Sequence, residues 1–189
     1  MKRSEINAAV REATAAFARH GWALPPNPRW DVTDFGLGDF WRFGLTLVNL
    51  AEQPEYCEKV MYARKGQDTP QHYHRVKKED IICRWGRLAI RIYPDETAPA
   101  GGRASVRLQV NGAEREVPTD RALVLGAGER ITLTPNVQHS FWADSDYVII
   151  GEVSTANDDV HDNYFEDPDI GRFSSIDEDE PPLVRLVSE

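Results

Sequence analysis

The chain has 189 residues, of which 41% are hydrophobic and 28% charged, enough for one soluble domain with its own core. A net charge of −9 argues against a nucleic-acid or anionic-membrane partner. Two cysteines, Cys57 and Cys83, are too few for a disulfide framework and read as buried free thiols. The opening Met1-Lys2-Arg3 leads into an amphipathic segment rather than an apolar run, so the expected location is the cytoplasm.

Ile6, Val10, Ala13 and Phe17 recur at helical spacing, with Ser4 as the expected N-cap, Glu5 favourable in the first turn and Gly21 as the stop. His20 reads as a surface or C-terminal capping residue, and Pro25-Pro26-Asn27-Pro28 breaks the pattern. Trp30, Phe35, Phe40, Trp41 and Phe43 are candidates for core or for a pocket wall. Leu45, Leu47 and Asn49 read as an early strand. Short β-like runs follow at 59–63, 79–85, 88–93, 105–110, 122–125, 130–133, 140–142 and 147–153. Asn111-Gly112 between two of them marks a hairpin. This succession predicts a mainly β sandwich or barrel of antiparallel strands. The acidic Asp177–Glu180 run reads as a solvated tail, and 183–187 as a short edge strand.

His72, His74, Glu79 and His139 carry the chemistry. Side chains alternate along a strand, so His72 and His74 share a face. Glu79 lies an odd number of residues from His74, so a turn over 75–78 is needed to bring it round. In the strand that follows, Glu79, Ile81 and Cys83 share a face, and Gly86 ends it. The expectation is two antiparallel strands that offer three ligands to one point. Imidazole and carboxylate donors without thiolate suit a divalent Mn, Fe, Co, Ni or Zn ion. Four protein ligands on an octahedral ion leave room for two substrate oxygens, such as a carbonyl and its α-hydroxyl. That geometry fits aldose–ketose isomerisation and also oxygen activation by iron.

The spacing Gly66-x5-His72-x-His74-x4-Glu79-x6-Gly86 is the first motif of the cupin superfamily. The second motif departs from the pattern. Asn136 stands in the place of the turn glycine between Gly128 and His139, Pro135 falls one residue late, and Ala143 replaces an asparagine. Asn tolerates a positive φ, so the turn can survive. The segment Gln71–Ile81 resembles the metal-binding segment of the D-lyxose ketol-isomerases. Gly151–Asp159 and Asp162-Asn163-Tyr164-Phe165 resemble that family's C-terminal signature. The resemblance implies a cupin-type jelly roll with an N-terminal helix and an irregular C-terminal segment. A single domain over 1–189 is expected, with a helix and Pro-rich connector at 1–28, a core at 45–153 and a capping segment at 154–189.

It also implies metal-dependent interconversion of D-lyxose and D-xylulose through an enediol, with related activity on D-mannose and D-fructose. Mn2+ is the expected cofactor, with Co2+, Zn2+, Ni2+ or Fe2+ as alternatives, and the expected assembly is a homodimer. Candidate acid–base residues are Lys77, in the turn between ligands, and Glu166, in the segment after the barrel. Candidate substrate contacts are Lys65, Gln71, Asp162 and Arg172. Gln71 is expected to face away from the metal on a regular strand, and His161, outside both motifs, reads as a structural or surface residue. The rival readings are an iron dioxygenase, a sugar-phosphate isomerase using Arg64, Lys65 and Thr69, and a sugar-binding module without turnover. The last is weakened as a regulator by the lack of a helix-turn-helix signature.

Overall fold

The computed structural model describes residues 1–94, 104–155, 157–158, 160–168, 170–171 and 175–189. Helix α1 spans Arg3–Arg19. It is followed by β1 (Arg29–Thr33), the one-turn α2 (Phe40–Phe43), β2 (Leu45–Glu52), β3 (Tyr56–Arg64), β4 (His72–Tyr73), β5 (Glu79–Trp85) and β6 (Arg87–Ile92). Strands β7 (Ser105–Val110), β8 (Ala113–Pro118), β9 (Leu123–Gly126), β10 (Arg130–Leu133), β11 (His139–Ala143), β12 (Tyr147–Thr155) and β13 (Tyr164–Phe165) complete the order.

The strands form two antiparallel sheets. One has the order β1-β2-β3-β12-β5-β10-β7-β8 and the other β13-β4-β11-β6-β9. A single core fills the space between them. Leu47, Met61, Ile81, Ile150 and Ile131 come from the larger sheet, and Ile90, Ile92, Leu125 and Phe141 from the smaller. The outer face of the larger sheet is covered by α1, where Ile6, Val10 and Phe17 meet Trp30, Val48, Val60 and Ile149. Strand β12 is therefore buried on both faces, which explains why Val148-Ile149-Ile150 runs without polar alternation. The mainly β, cupin-type expectation holds.

Two turns follow directly from sequence. Asn111 and Gly112 adopt φ of 54° and 77°, the left-handed pair that matches hairpin twist between β7 and β8. Gly86 adopts φ 82°, and a Cβ there would lie 2.6 Å from both Ser145 Oγ and the Tyr147 carbonyl oxygen. Only glycine fits the corner between β5 and β6.

Three expectations need correction. Ser4 does not cap α1; Lys2 occupies the N-cap position, its backbone N–H donates to Glu5, and Ser4 Oγ donates to Asp179 at 2.7 Å. The acidic run is not simply solvated. Arg3, fully buried, pairs with Glu178 at 2.6 Å and Glu189 at 2.8 Å, and Asn7 donates to Glu180, so these acids hold the tail against α1. The 183–187 piece forms no strand; its one β-type contact is a bridge from Leu186 to Trp30, and the Leu183 N–H donates to Asn7 of α1. His20 does cap α1, and it also stacks on Trp85 and bonds Tyr147 at 2.7 Å. Both cysteines are free and buried. Among the described residues, no helix is long and apolar enough to cross a membrane.

Candidate metal centre

His72 and His139 are register partners on the adjacent strands β4 and β11 of the smaller sheet. Glu79 opens β5, in the larger sheet. The expected hairpin of two ligand strands is thus replaced by a crossing. After His74 the chain passes from one sheet to the other, and the donors face each other across the interior. The even spacing still holds His72 and His74 on one side, while Glu79 shares the inward face of β5 with Ile81 and Cys83.

The ligand nitrogens of His72, His74 and His139 lie within 4.8 Å of one another. Each ring bonds through Nδ1 to a backbone oxygen: Pro70 at 2.8 Å for His72, Asp162 for His74, and Val137 at 2.9 Å for His139. A carbonyl only accepts, so each Nδ1 carries the proton and each Nε2 is left as a bare lone pair. Burial, aided by the neighbouring imidazoles, pushes the His72 pKa well down. Burial also lowers that of His74, so both rings are neutral donors at neutral pH.

Glu79 Oε1 lies 3.2 Å from His139 Nε2 and 3.5 Å from His74 Nε2. None of these three buried atoms has a hydrogen-bond partner. Bare acceptors converging without a donor repel one another, and a cation resolves that. Metal bonds of about 2.1 Å at right angles put neighbouring donor atoms about 3 Å apart, close to the separations seen. The residues fit a divalent ion.

A row of alternating charge continues from the carboxylate. Lys77 Nζ lies 2.7 Å from Glu79 Oε2 and 3.2 Å from Glu152 Oε1. Lys59 Nζ lies 3.6 Å from Glu152 and donates to Asn157 at 3.1 Å. All four charged groups of the row are buried. Burial alone depresses the Lys77 pKa, but Glu152 and Glu79 outweigh it and hold the ammonium charged. Burial likewise raises Glu152 and Glu79, and the lysines beside them reverse both shifts.

The row borders a cavity of about 640 Å³, counting its open mouth. Asp31, Thr33, Thr69 and Asn163 add polar lining, and Phe35, Leu47, Met61, Phe141 and Phe165 the apolar wall. Such a mixture of apolar and polar lining suits the carbon skeleton and hydroxyls of a polyol.

Of the sequence candidates, His72, His74, Glu79, His139 and Lys77 come together here. Glu166 does not join them; it is exposed, and its backbone N–H donates to the Gln71 carbonyl. Lys65 is exposed on the turn after β3, away from the lining. Gln71, one residue before β4, bonds Gln138 and stays off the cavity lining. The Asp162 carboxylate is not offered to the cavity but accepts the backbone N–H groups of Arg75, Val76 and Lys77. Arg172 lies outside the described residues. His161 is exposed and bonds the Asp158 carboxylate at 3.0 Å. Sequence reasoning missed Glu152, Lys59, Asp31 and Asn163. The available signal was a lone charge inside an apolar strand, and Glu152 and Lys59 are direct cross-strand partners.

The sequence profile of a family described as D-lyxose isomerase matches residues 27–189. The chain is similar to a D-lyxose/D-mannose isomerase of Serratia proteamaculans, 37% identical, over all of this chain and 97% of that one. It is similar to a D-lyxose ketol-isomerase of Cohnella laeviribosi, 31% identical, over 95% of this chain and all of that one. Among solved structures it resembles the L-ribose isomerase of Cellulomonas parahominis, with a TM-score of 0.69 and 17% identity, over 94% of this chain and 98% of that one. This last likeness concerns the fold.

Proposed function

The chain belongs to the D-lyxose isomerase family, and from that membership and the geometry of the site we propose that it interconverts D-lyxose and D-xylulose. D-mannose and D-fructose are the related pair, in keeping with the name of the Serratia relative. The observation that carries the reading is the convergence of bare imidazole nitrogens and one carboxylate beside a lysine–glutamate pair in a single cavity.

His72, His74, His139 and Glu79 would hold the ion, and we assign manganese to the site. When bound, a divalent cation polarises the carbonyl and α-hydroxyl of an open-chain sugar. The isomerisation moves one proton between C1 and C2 and another between O1 and O2. Glu152, ionised and buried at the cavity wall, takes the carbon-bound proton and returns it to the neighbouring carbon. Lys77, held as an ammonium, donates hydrogen bonds to the oxygen on which negative charge develops. Glu152 thus replaces Glu166 in the proposed acid–base pair. Phe35 and Phe165 shield the enediol from water, and Asp31, Thr33 and Asn163 face the sugar hydroxyls. The helix, the core and the C-terminal segment act as one domain, and we place the enzyme in the cytoplasm as a homodimer.

The iron dioxygenase and the module without turnover are not favoured, because the family and the relatives are isomerases. The test is to load the protein with Mn2+ and measure ketose formed from D-lyxose. Failure with Mn2+, Co2+, Zn2+ and Ni2+ alike would defeat the proposal. In heavy water, deuterium at the carbon that receives hydrogen supports the enediol route.

A further inference from the structure

The segment after β12 is more than a cover. Asp162 makes bonds of two kinds to the site. Its carboxylate accepts from the backbone N–H groups of three successive residues, Arg75 at 2.8 Å, Val76 at 3.1 Å and Lys77 at 2.8 Å. Its backbone carbonyl accepts the Nδ1 proton of His74. These three N–H groups belong to the crossing between sheets, where no strand partner can satisfy them. A carboxylate placed at three consecutive N–H groups fixes the backbone of that turn.

Residues on each side of this turn do the work of the site. His74 precedes it, Lys77 ends it, and Glu79 follows two residues later. A long side chain such as lysine loses much rotamer freedom when it is ordered. Here its Nζ is nonetheless held between Glu79 and Glu152. That placement requires a fixed Cα. The same turn sets the distance from the His74 ring to Glu79 Oε1, 3.5 Å. On the far side of Asp162, the strap brings Asn163 and Phe165 to the cavity wall, and Phe165 packs 5.8 Å from the His72 ring.

We propose that Asp162 is a positioning residue that ties the C-terminal strap to the metal centre, its carboxylate fixing the turn that aims Lys77 and its carbonyl fixing the ring of His74. This role rests on the isomerase reading only for its effect on turnover. It differs from the role expected from sequence, in which the carboxylate would bind a sugar hydroxyl.

The experiment compares Asp162→Ala, Asp162→Asn and wild type in three measurements. The first is amide hydrogen exchange of the metal-free protein, read at Arg75, Val76 and Lys77. The second is Mn2+ affinity by calorimetry, corrected to the folded fraction. The third is kcat and KM for D-lyxose. Asp162→Ala should speed exchange at those three amides; it keeps the backbone carbonyl that holds His74, so by loosening the turn it should weaken Mn2+ binding by roughly 10-fold, the low end of the cost of losing an outer partner outright. Its kcat should fall further than its KM rises. Asp162→Asn keeps one acceptor oxygen and should lie between the two, and it serves if the alanine variant does not fold. Arg3→Ala provides a comparator, since it loosens the tail elsewhere and should lower thermal stability without speeding exchange at 75–77.

Unchanged exchange at 75–77 and unchanged Mn2+ affinity overturn the proposal, whether the variant shows only a raised KM or only a lowered melting temperature. Wild-type protein that binds Mn2+ yet makes no ketose would sink the isomerase reading while leaving the exchange and affinity comparisons decisive for Asp162. The two failures are therefore distinguishable.

Discussion

His72 and His139 lie directly opposite each other on paired strands, with ring centroids 4.2 Å apart. Both donate Nδ1 protons to carbonyls two residues back, so both present bare Nε2 atoms to the same point. Replacing His139 with alanine removes a donor that strand pairing holds in place. Even an outer-sphere partner costs about 10–100-fold in metal affinity, so loss of a direct donor should exceed ~100-fold. Calorimetric Mn2+ titration and ketose assay should show both functions lost together. An active, metal-free His139→Ala variant would contradict the assignment.

Glu152 stands apart from the bare donors yet borders the same cavity. Glu152→Gln keeps its size and a hydrogen-bond acceptor but removes the base. We expect kcat to fall by about 10²–10⁴-fold, the usual contribution of a positioned acid–base group. Mn2+ affinity should change little. A variant that loses affinity and keeps its rate per metal-loaded molecule would move Glu152 from the base to the ligand set.

Much of this was legible from short-range pattern. Glu79, Ile81 and Cys83 follow strand periodicity, and β5 runs from Glu79 after the polar turn to Trp85 before Gly86, as expected. The three histidines and one acid were visible through spacing alone. Glu152 was not, because hydropathy misleads at this end of β12: the apolar Val153 is the exposed residue, while the charged Glu152 and the polar Ser154 face inward. Its partner Lys59 sits on β3, more than ninety residues earlier, and only the sheet register shows that the charges meet. The crossing after His74 was hidden for a similar reason. A polar stretch such as Arg75–Lys78 reads alike whether it turns a hairpin or changes sheets, and the acid that holds it, Asp162, is remote in sequence.

Lys77→Met should destabilise the metal-free protein more than the metal-loaded one. Removing one partner of a buried ion pair costs about 3–5 kcal/mol, mostly through the charge left behind. Here both Glu79 and Glu152 lose their common partner. A bound cation compensates Glu79 from its other oxygen, so part of the loss is restored. Urea unfolding of wild type and variant, each with and without Mn2+, checks the difference. Equal destabilisation in both states would show that Lys77 and the ion do not share Glu79.

The tail clamp makes stability acid-sensitive. The Arg3 guanidinium holds the carboxyls of Glu178 and Glu189 below the ordinary glutamate range. A depressed folded-state pKa contributes stability that is present above the unfolded value, about 4.3, and is lost as pH falls through the folded value. Wild type should therefore exceed Arg3→Met in melting temperature at pH 6. The gap should narrow below about pH 4 as these acids protonate. A gap that stays constant down to pH 3 would show that the clamp acts by packing alone.

Phe35 adopts φ 55°, a left-handed conformation that a bulky side chain rarely takes. Its ring lines the cavity and meets Phe165 edge-on at 5.8 Å, and its backbone N–H donates to Thr33 Oγ1. Left-handed backbone costs an L-residue about 1–2 kcal/mol, so the ring must return more than that through burial. Phe35→Ala and Phe35→Gly both remove the ring, but only glycine is relieved of the conformational penalty. We therefore expect Phe35→Gly to be the more stable of the two by about 1 kcal/mol, the reverse of the usual order. Both should fall below wild type, because loss of a buried phenyl costs about 3–5 kcal/mol. Both should also raise KM for the sugar, since the wall that screens the cavity from water is gone. Denaturant titration of the three proteins gives the ranking. If the alanine variant proves more stable than the glycine variant, position 35 is not held left-handed, and the orientation of this wall must be set by Phe165 instead.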